Sequence, residues 1–103
     1  MSQSSTITED MIEIGPVGVI LFEEFLQPLG LSQTRAAKAI GAPPRRINEI
    51  VRGARSVTAD ASLRLARLFG VSDDSFLNLQ ADYDMRMRRR EIAADLAKIQ
   101  PAA

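Results

Sequence analysis

Apolar residues between positions 17 and 99 recur at helical spacing, in short blocks separated by glycine and proline. In the first block Leu21, Phe25 and Leu29 repeat every four residues, with Phe22 and Leu26 beside them and Glu23 and Glu24 facing out. This spacing predicts a helix over 17–28, ended by Pro28 and Gly30. Ser32 is placed to cap a second helix over 33–40, because its side-chain oxygen can accept a free backbone N–H, and Gly41 stops it. Pro43 and Pro44 open a third helix over 44–52, since a first helical turn has N–H groups that proline does not miss, and Gly53 ends it. Thr58 caps a fourth helix over 59–69, with Asp60 at the positive end of its dipole and Leu65, Leu68 and Phe69 as its apolar face. After Gly70, Ser72 caps a fifth helix with Asp73 and Asp74 in its first turn and Phe76, Leu79 and Tyr83 on its inner stripe. The helical pattern continues past Tyr83 with Met85, Ile92, Leu96 and Ile99 as a second stripe, up to Pro101. No segment alternates as a strand and there is no internal repeat. Residues 1–8 form a polar, Ser/Thr-rich tail, and Met11, Ile12 and Ile14 allow a short strand or turn. The expected organisation is a flexible tail over 1–14, one helical domain over 15–84 and a helical extension over 85–103.

One spacing inside this all-α pattern has a chemical meaning. Two short helices that meet across a tight turn need a small residue where they nearly touch, and Ala37 supplies it. They need a residue that accepts positive φ at the turn, and Gly41 supplies it. They need apolar anchors one turn apart on the second helix, and Ile47 and Ile50 supply them, with Ile40 opposite. This is a helix-turn-helix spacing. It points Ile47, Ile50 and Val51 inward and turns Pro44, Arg45, Arg46, Asn48, Glu49 and Arg52 outward. In such a motif the N-terminal half of the second helix enters the major groove of DNA. Arg45 and Arg46 then stand where a guanidinium fork meets guanine O6 and N7, Asn48 where an amide pairs with adenine, and Glu49 where a carboxylate accepts from cytosine N4. Pro44 lies at the same end. Gln33, at the N-terminus of the preceding helix, suits a phosphate, and Arg35, Arg52 and Arg55 add phosphate charge. The competing reading is a helical bundle whose Arg–Asn–Glu face is only solvated.

Charge changes this picture in its distribution. The 103-residue chain has 13 Lys+Arg and 13 Asp+Glu, so its net charge is zero. Residues 1–30 hold five acids and no base, whereas residues 31–55 hold six bases (Arg35, Lys38, Arg45, Arg46, Arg52, Arg55) against Glu49 alone. A local basic patch is the footprint of a nucleic-acid surface. The sequence has no cysteine and no histidine. Disulfides, thiolate metal sites and the commonest general base are thereby excluded. An enzyme would need paired carboxylates in a cleft. The acids sit instead where helix caps and solvated faces explain them, and Asp82 and Asp84 flank Tyr83 on different faces. No metal site and no cofactor are expected. With no apolar run long enough to span a bilayer and no basic-then-apolar leader, the expected location is cytoplasmic, with no membrane partner.

The stretches EEFLQPLGLSQ, PPRRINEIVRGARSVTADASLRLARLFG and LNLQADYD resemble the HigA/VapI antitoxins, a branch of the helix-turn-helix family that includes the phage repressors. The resemblance covers roughly residues 18–86. It implies a five-helix, lambda-repressor-like helix-turn-helix domain, here with an extended C-terminal helix. It implies a homodimer that binds an inverted repeat in operator DNA, represses its own operon and silences a toxin encoded beside it, usually a RelE-like ribonuclease that cuts mRNA. Gln33, Arg45, Arg46, Asn48 and Glu49 fall where relatives contact DNA. There are departures. Relatives begin the first helix with a His-Pro-Gly-Glu-like run where this chain reads Gly15-Pro16-Val17-Gly18-Val19, and the aromatic pair before LNLQ is here Ser75-Phe76.

Three functions compete: an antitoxin and autorepressor, a stand-alone dimeric regulator without a toxin, and a protein-interaction module that has lost DNA binding. The Arg45–Glu49 face opposes the third. Arg86, Arg88, Arg89 and Arg90 read either as a contact to DNA or an acidic toxin, or as a helix end whose cations complement the dipole. Met85, Ile92 and Ile99, seven apart, suit a dimer contact, a toxin contact or packing on the body.

Overall fold

Gly41, Gly53 and Gly70 take the left-handed conformation, with φ of 71°, 80° and 70°, and each terminates the helix before it. The computed structural model describes residues 16–102, so the expected tail over 1–14 and the segment 9–15 lie outside the described residues. The helices are α1 (Val17–Ile20), running straight into a π-helical segment (Leu21–Leu26), then α2 (Gln33–Ile40), α3 (Pro44–Arg52), α4 (Ala59–Phe69), α5 (Ser75–Glu91) and α6 (Ala93–Ala97). No strand occurs among the described residues. The chain divides into two compact units, Met1–Arg55 and Ser56–Ala103. The fold is the all-α, helix-turn-helix class expected.

In the first unit the helix expected over 17–28 ends at Leu26 and changes register on the way. The Gln27 N–H donates to the Phe22 carbonyl at 2.9 Å, five residues back, and the Leu31 N–H donates to the Leu26 carbonyl at 2.9 Å. In this wider turn residues five apart come over one another. The buried pair is therefore Leu21 and Leu26, and the every-four stripe of Leu21, Phe25 and Leu29 is not the core face: Leu29 is 66% exposed. Gly18 lies buried on α1, against the carbonyl end of α3. A Cβ there would meet the Ile50 and Val51 backbone oxygens, the latter at 2.6 Å.

The α2–turn–α3 unit forms as local chemistry dictates. The Ser32 hydroxyl accepts from the Arg35 N–H at 3.1 Å. At the other end the Gly41 N–H donates to the Lys38 carbonyl at 3.2 Å and the Ala42 N–H donates to the Ala37 carbonyl at 2.9 Å, which closes the turn. Ala36, Ala37 and Ile40 of α2 are buried, as are Ile47 and Ile50 of α3. The alanines let the helices approach closely.

In the second unit the Thr58 hydroxyl accepts from the Ala61 N–H at 3.2 Å and starts α4. This helix buries Ala61, Ser62, Leu65 and Ala66, and α5 buries Phe76, whose ring lies 6.1 Å from that of Phe69. The start of α5 differs from expectation. The helix begins at Ser75, Ser72 offers only its carbonyl to the Ser75 N–H, and Asp73 and Asp74 precede the first turn. The cap comes instead from α4: the Ser62 hydroxyl donates to the Asp73 carbonyl at 2.8 Å and accepts from the Leu77 N–H at 3.1 Å. Ser62 is 1% exposed and both of its bonds are part-buried, so its removal would leave a carbonyl and an N–H short of their partner. Ser62→Ala is therefore expected to cost about 1–3 kcal/mol. A urea melt should show a lower midpoint with an unchanged slope; an unchanged midpoint would show that α5 holds its first turn without this hydroxyl.

The single C-terminal run expected to reach Ile99 is broken. Ile92, at φ −113° and ψ 24°, ends α5 and leads into the short α6. No residue of α6 is buried, and Leu96 and Ile99 are 41% and 68% exposed, so no packed stripe holds this stretch in line with α5. Among the described residues no helix is long and apolar enough to cross a membrane.

Candidate nucleic-acid interface

Ile47 and Ile50, at 0% and 1% exposure, anchor α3 on one side and fix which side faces out. Pro44 is the first residue of the helix and Arg45 is exposed beside it. Arg46, Asn48 and Glu49 are half-buried on its flanks, and Arg52 is exposed in its last turn. Gln33 and Arg35 stand on the first turn of α2, half-buried and exposed respectively. All nine candidate residues thus belong to the first unit.

The structure brings three of them into direct contact. Beyond Gly53 the chain folds back, so that the Ala54 and Arg55 N–H groups both donate to the Glu49 carbonyl, at 2.8 and 3.2 Å. This fold-back brings the Arg55 side chain alongside α3, where its Nε donates to Glu49 Oε1 at 2.8 Å. The other carboxylate oxygen, Oε2, lies 3.8 Å from Arg45 Nε. The Arg55 hydrogen bond holds the Glu49 carboxyl below its ordinary pKa; partial desolvation opposes this, and the charges of Arg55, Arg45 and Arg52 add to it. The pair is consequently intact at neutral pH and is lost only as pH falls through that lowered value.

The sequence reading missed two features of this site. Glu49 and Arg55 are six apart across a glycine, a separation that no helix-face rule pairs. Gly18 left a signal, a glycine inside a helical pattern, which marks a close packing contact.

A family model described as helix-turn-helix matches residues 22–76. Virulence-associated protein I of Dichelobacter nodosus is 51% identical over 74 residues, covering 72% of this chain and 68% of that protein. The chain belongs to the helix-turn-helix family, in its HigA/VapI branch. Among solved structures, the HigA antitoxin of Pseudomonas aeruginosa with the higBA promoter is 32% identical at a TM-score of 0.79, covering 87% of this chain and 98% of that one. A second Pseudomonas aeruginosa protein, solved with its operator DNA of 18 bp, is 30% identical at a TM-score of 0.82, covering 86% and 97%.

Two C-terminal arginines of this HigA/VapI-type chain, Arg86 and Arg88, meet acids close by in sequence. Arg86 Nε lies 3.5 Å from Asp82, and its guanidinium lies 5.6 Å from the Tyr83 ring centroid. Arg88 Nη1 donates to Glu91 at 3.0 Å. Gln80, in the LNLQ stretch, accepts the Val57 N–H at 3.1 Å through Oε1 and donates to Asp84 at 3.0 Å through Nε2. It thereby ties the segment before α4 to α5, a role not foreseen.

Proposed function

We propose that this chain is the antitoxin of a type II toxin–antitoxin system, a homodimeric repressor that binds an inverted repeat in its own operator and neutralises a RelE-like, mRNA-cleaving toxin. The observation that carries the proposal is the face of α3. Its buried isoleucines turn Pro44, Arg45, Arg46 and Asn48 outward, with Glu49 beside them, and this is the arrangement that reads base edges in the major groove. Gln33, Arg35, Arg52 and Arg55 then hold the backbone. Two similar proteins of the same fold were solved with promoter or operator DNA, which favours the same use of the helix here. One such helix covers a half-site, and a two-fold dimer sets two of them about 34–36 Å apart, one turn of DNA. The role is one of binding, without catalysis, and it is exercised in the cytoplasm.

Two measurements test this. Tagged protein should co-purify with the product of a small neighbouring reading frame, and native mass should give the stoichiometry. If no complex forms while operator binding persists, the chain is a stand-alone dimeric regulator. Operator affinity should also fall steeply with salt. Three cationic phosphate residues per protomer make six per dimer, for a log–log slope of about −5. A flat response would count against DNA binding.

A further inference from the structure

We infer that Glu49 is a positioning residue, which holds the Arg55 guanidinium against α3 so that it is presented to a DNA phosphate. This rests on the DNA-binding reading of α3 and assigns Glu49 work other than accepting a hydrogen bond from a base.

The geometry supports this in three ways. Arg55 lies outside the helix, past Gly53, where a long side chain would otherwise sample many rotamers. It is tied to Glu49 twice, by its backbone N–H to the Glu49 carbonyl at 3.2 Å and by Nε to Oε1 at 2.8 Å. These two bonds fix both ends of the side chain on one residue of α3.

The second support is donor arithmetic. A guanidinium has five N–H donors in a planar fork. A bond to Glu49 through Nε leaves the two Nη groups to meet a phosphate oxygen, and Arg55 retains 45% side-chain exposure to do so. Arginine bound in this way loses less freedom on meeting DNA than a free one would.

The third is what Glu49 is not placed to do. Its side chain is only 22% exposed, Oε1 is engaged by Arg55, and Oε2 faces Arg45 at 3.8 Å. A cytosine amino group would have to share this little-exposed carboxylate with both cations. An uncompensated carboxylate so close to phosphate would repel it, whereas one neutralised by Arg55 and flanked by Arg45 and Arg52 does not.

The test uses the full chain, a duplex recovered by selection from a randomised pool, and a scrambled duplex of the same composition. Glu49→Gln is expected to weaken binding to both duplexes by the same factor, about tenfold, as a charge-assisted bond loses its support in each protomer. The salt slope should become shallower by about 2, one phosphate per protomer. Arg55→Ala should match it, and the double variant should be no worse than either. In the free protein the Arg55 Nε–H resonance should be protected from exchange, and Glu49→Gln, which keeps only a neutral acceptor, should weaken that protection while thermal melting stays the same. Loss confined to the selected duplex, traced to one base position, would overturn the inference in favour of base reading. Tighter or unchanged binding by Glu49→Gln, with wild-type binding intact, would overturn it too. A wild type that binds neither duplex would overturn both this inference and the DNA-binding reading beneath it.

Discussion

Gly18→Ala is expected to destabilise the protein by about 3 kcal/mol or more, although alanine is the better helix former by about 1 kcal/mol. The clash decides the sign. An added methyl would meet the Ile50 and Val51 backbone oxygens and lie 2.9 Å from the Val51 carbonyl carbon. These atoms belong to the last turn of α3, which Gly53 caps, so they cannot rotate away as a side-chain tip could. Overpacking of a tight core costs about 1–3 kcal/mol, and rigid backbone neighbours place this case at the upper end or beyond. For a chain of this size, about 3 kcal/mol lowers Tm by roughly 12–24 °C, a large share of a typical stability of about 5–15 kcal/mol. The check is thermal melting by circular dichroism, with Val19→Ala, at a position 42% exposed, as the neighbouring control. A Tm for Gly18→Ala within a few degrees of that control would mean that α1 can slide off α3 at little cost. The same displacement should reach DNA binding, because α1 braces the helix that carries Arg45 and Arg46.

The contrast between Gly18 and Gly41 shows what the sequence does and does not reveal. Gly41 ends a helix through its own φ and the carbonyls of the preceding turn, so its role is local and legible. The same holds for Ser32, Pro44, Gly53 and Thr58, and the expected spans 33–40, 44–52 and 59–69 coincide with α2, α3 and α4. Gly18 acts through a contact with atoms more than thirty residues away, and no local rule contains that. The cap of α5 is hidden for the same reason: Ser72 has the right residue type, but Ser62, thirteen residues before the helix starts, supplies the hydroxyl. The first helix misled differently. Its spacing fits an α-helical period, yet the chain takes a π-helical register that exchanges Leu29 for Leu26 in the core. At the candidate interface the outward face of α3 followed from Ile47 and Ile50, since an anchored helix has only one free side. The Glu49–Arg55 pair did not follow, because it exists only once the chain beyond Gly53 folds back.

Replacing Arg45 and Arg46 together by alanine is the change expected to damage function most. If each guanidinium forks onto a guanine edge, each is worth about 1–3 kcal/mol of discrimination, so the pair is worth about 2–6 kcal/mol in each protomer, or roughly thirty- to twenty-thousandfold in the affinity for one half-site. Neither residue is a core anchor: Arg45 has 78% of its side chain exposed, Arg46 is half-buried, and the buried Ile47 and Ile50 are untouched. Alanine also suits the first turn of a helix better than it harms it, so the fold should survive and melting should confirm that it does. The informative quantity is the ratio of affinities for the selected and the scrambled duplex. Base-reading arginines should lower the first far more than the second, collapsing the ratio. Arg35→Ala, in the first turn of α2, should lower both alike and leave the ratio where it was. If the double variant also lowers both alike, Arg45 and Arg46 hold the phosphate backbone, and sequence preference must reside in Asn48 or in the deformability of the DNA.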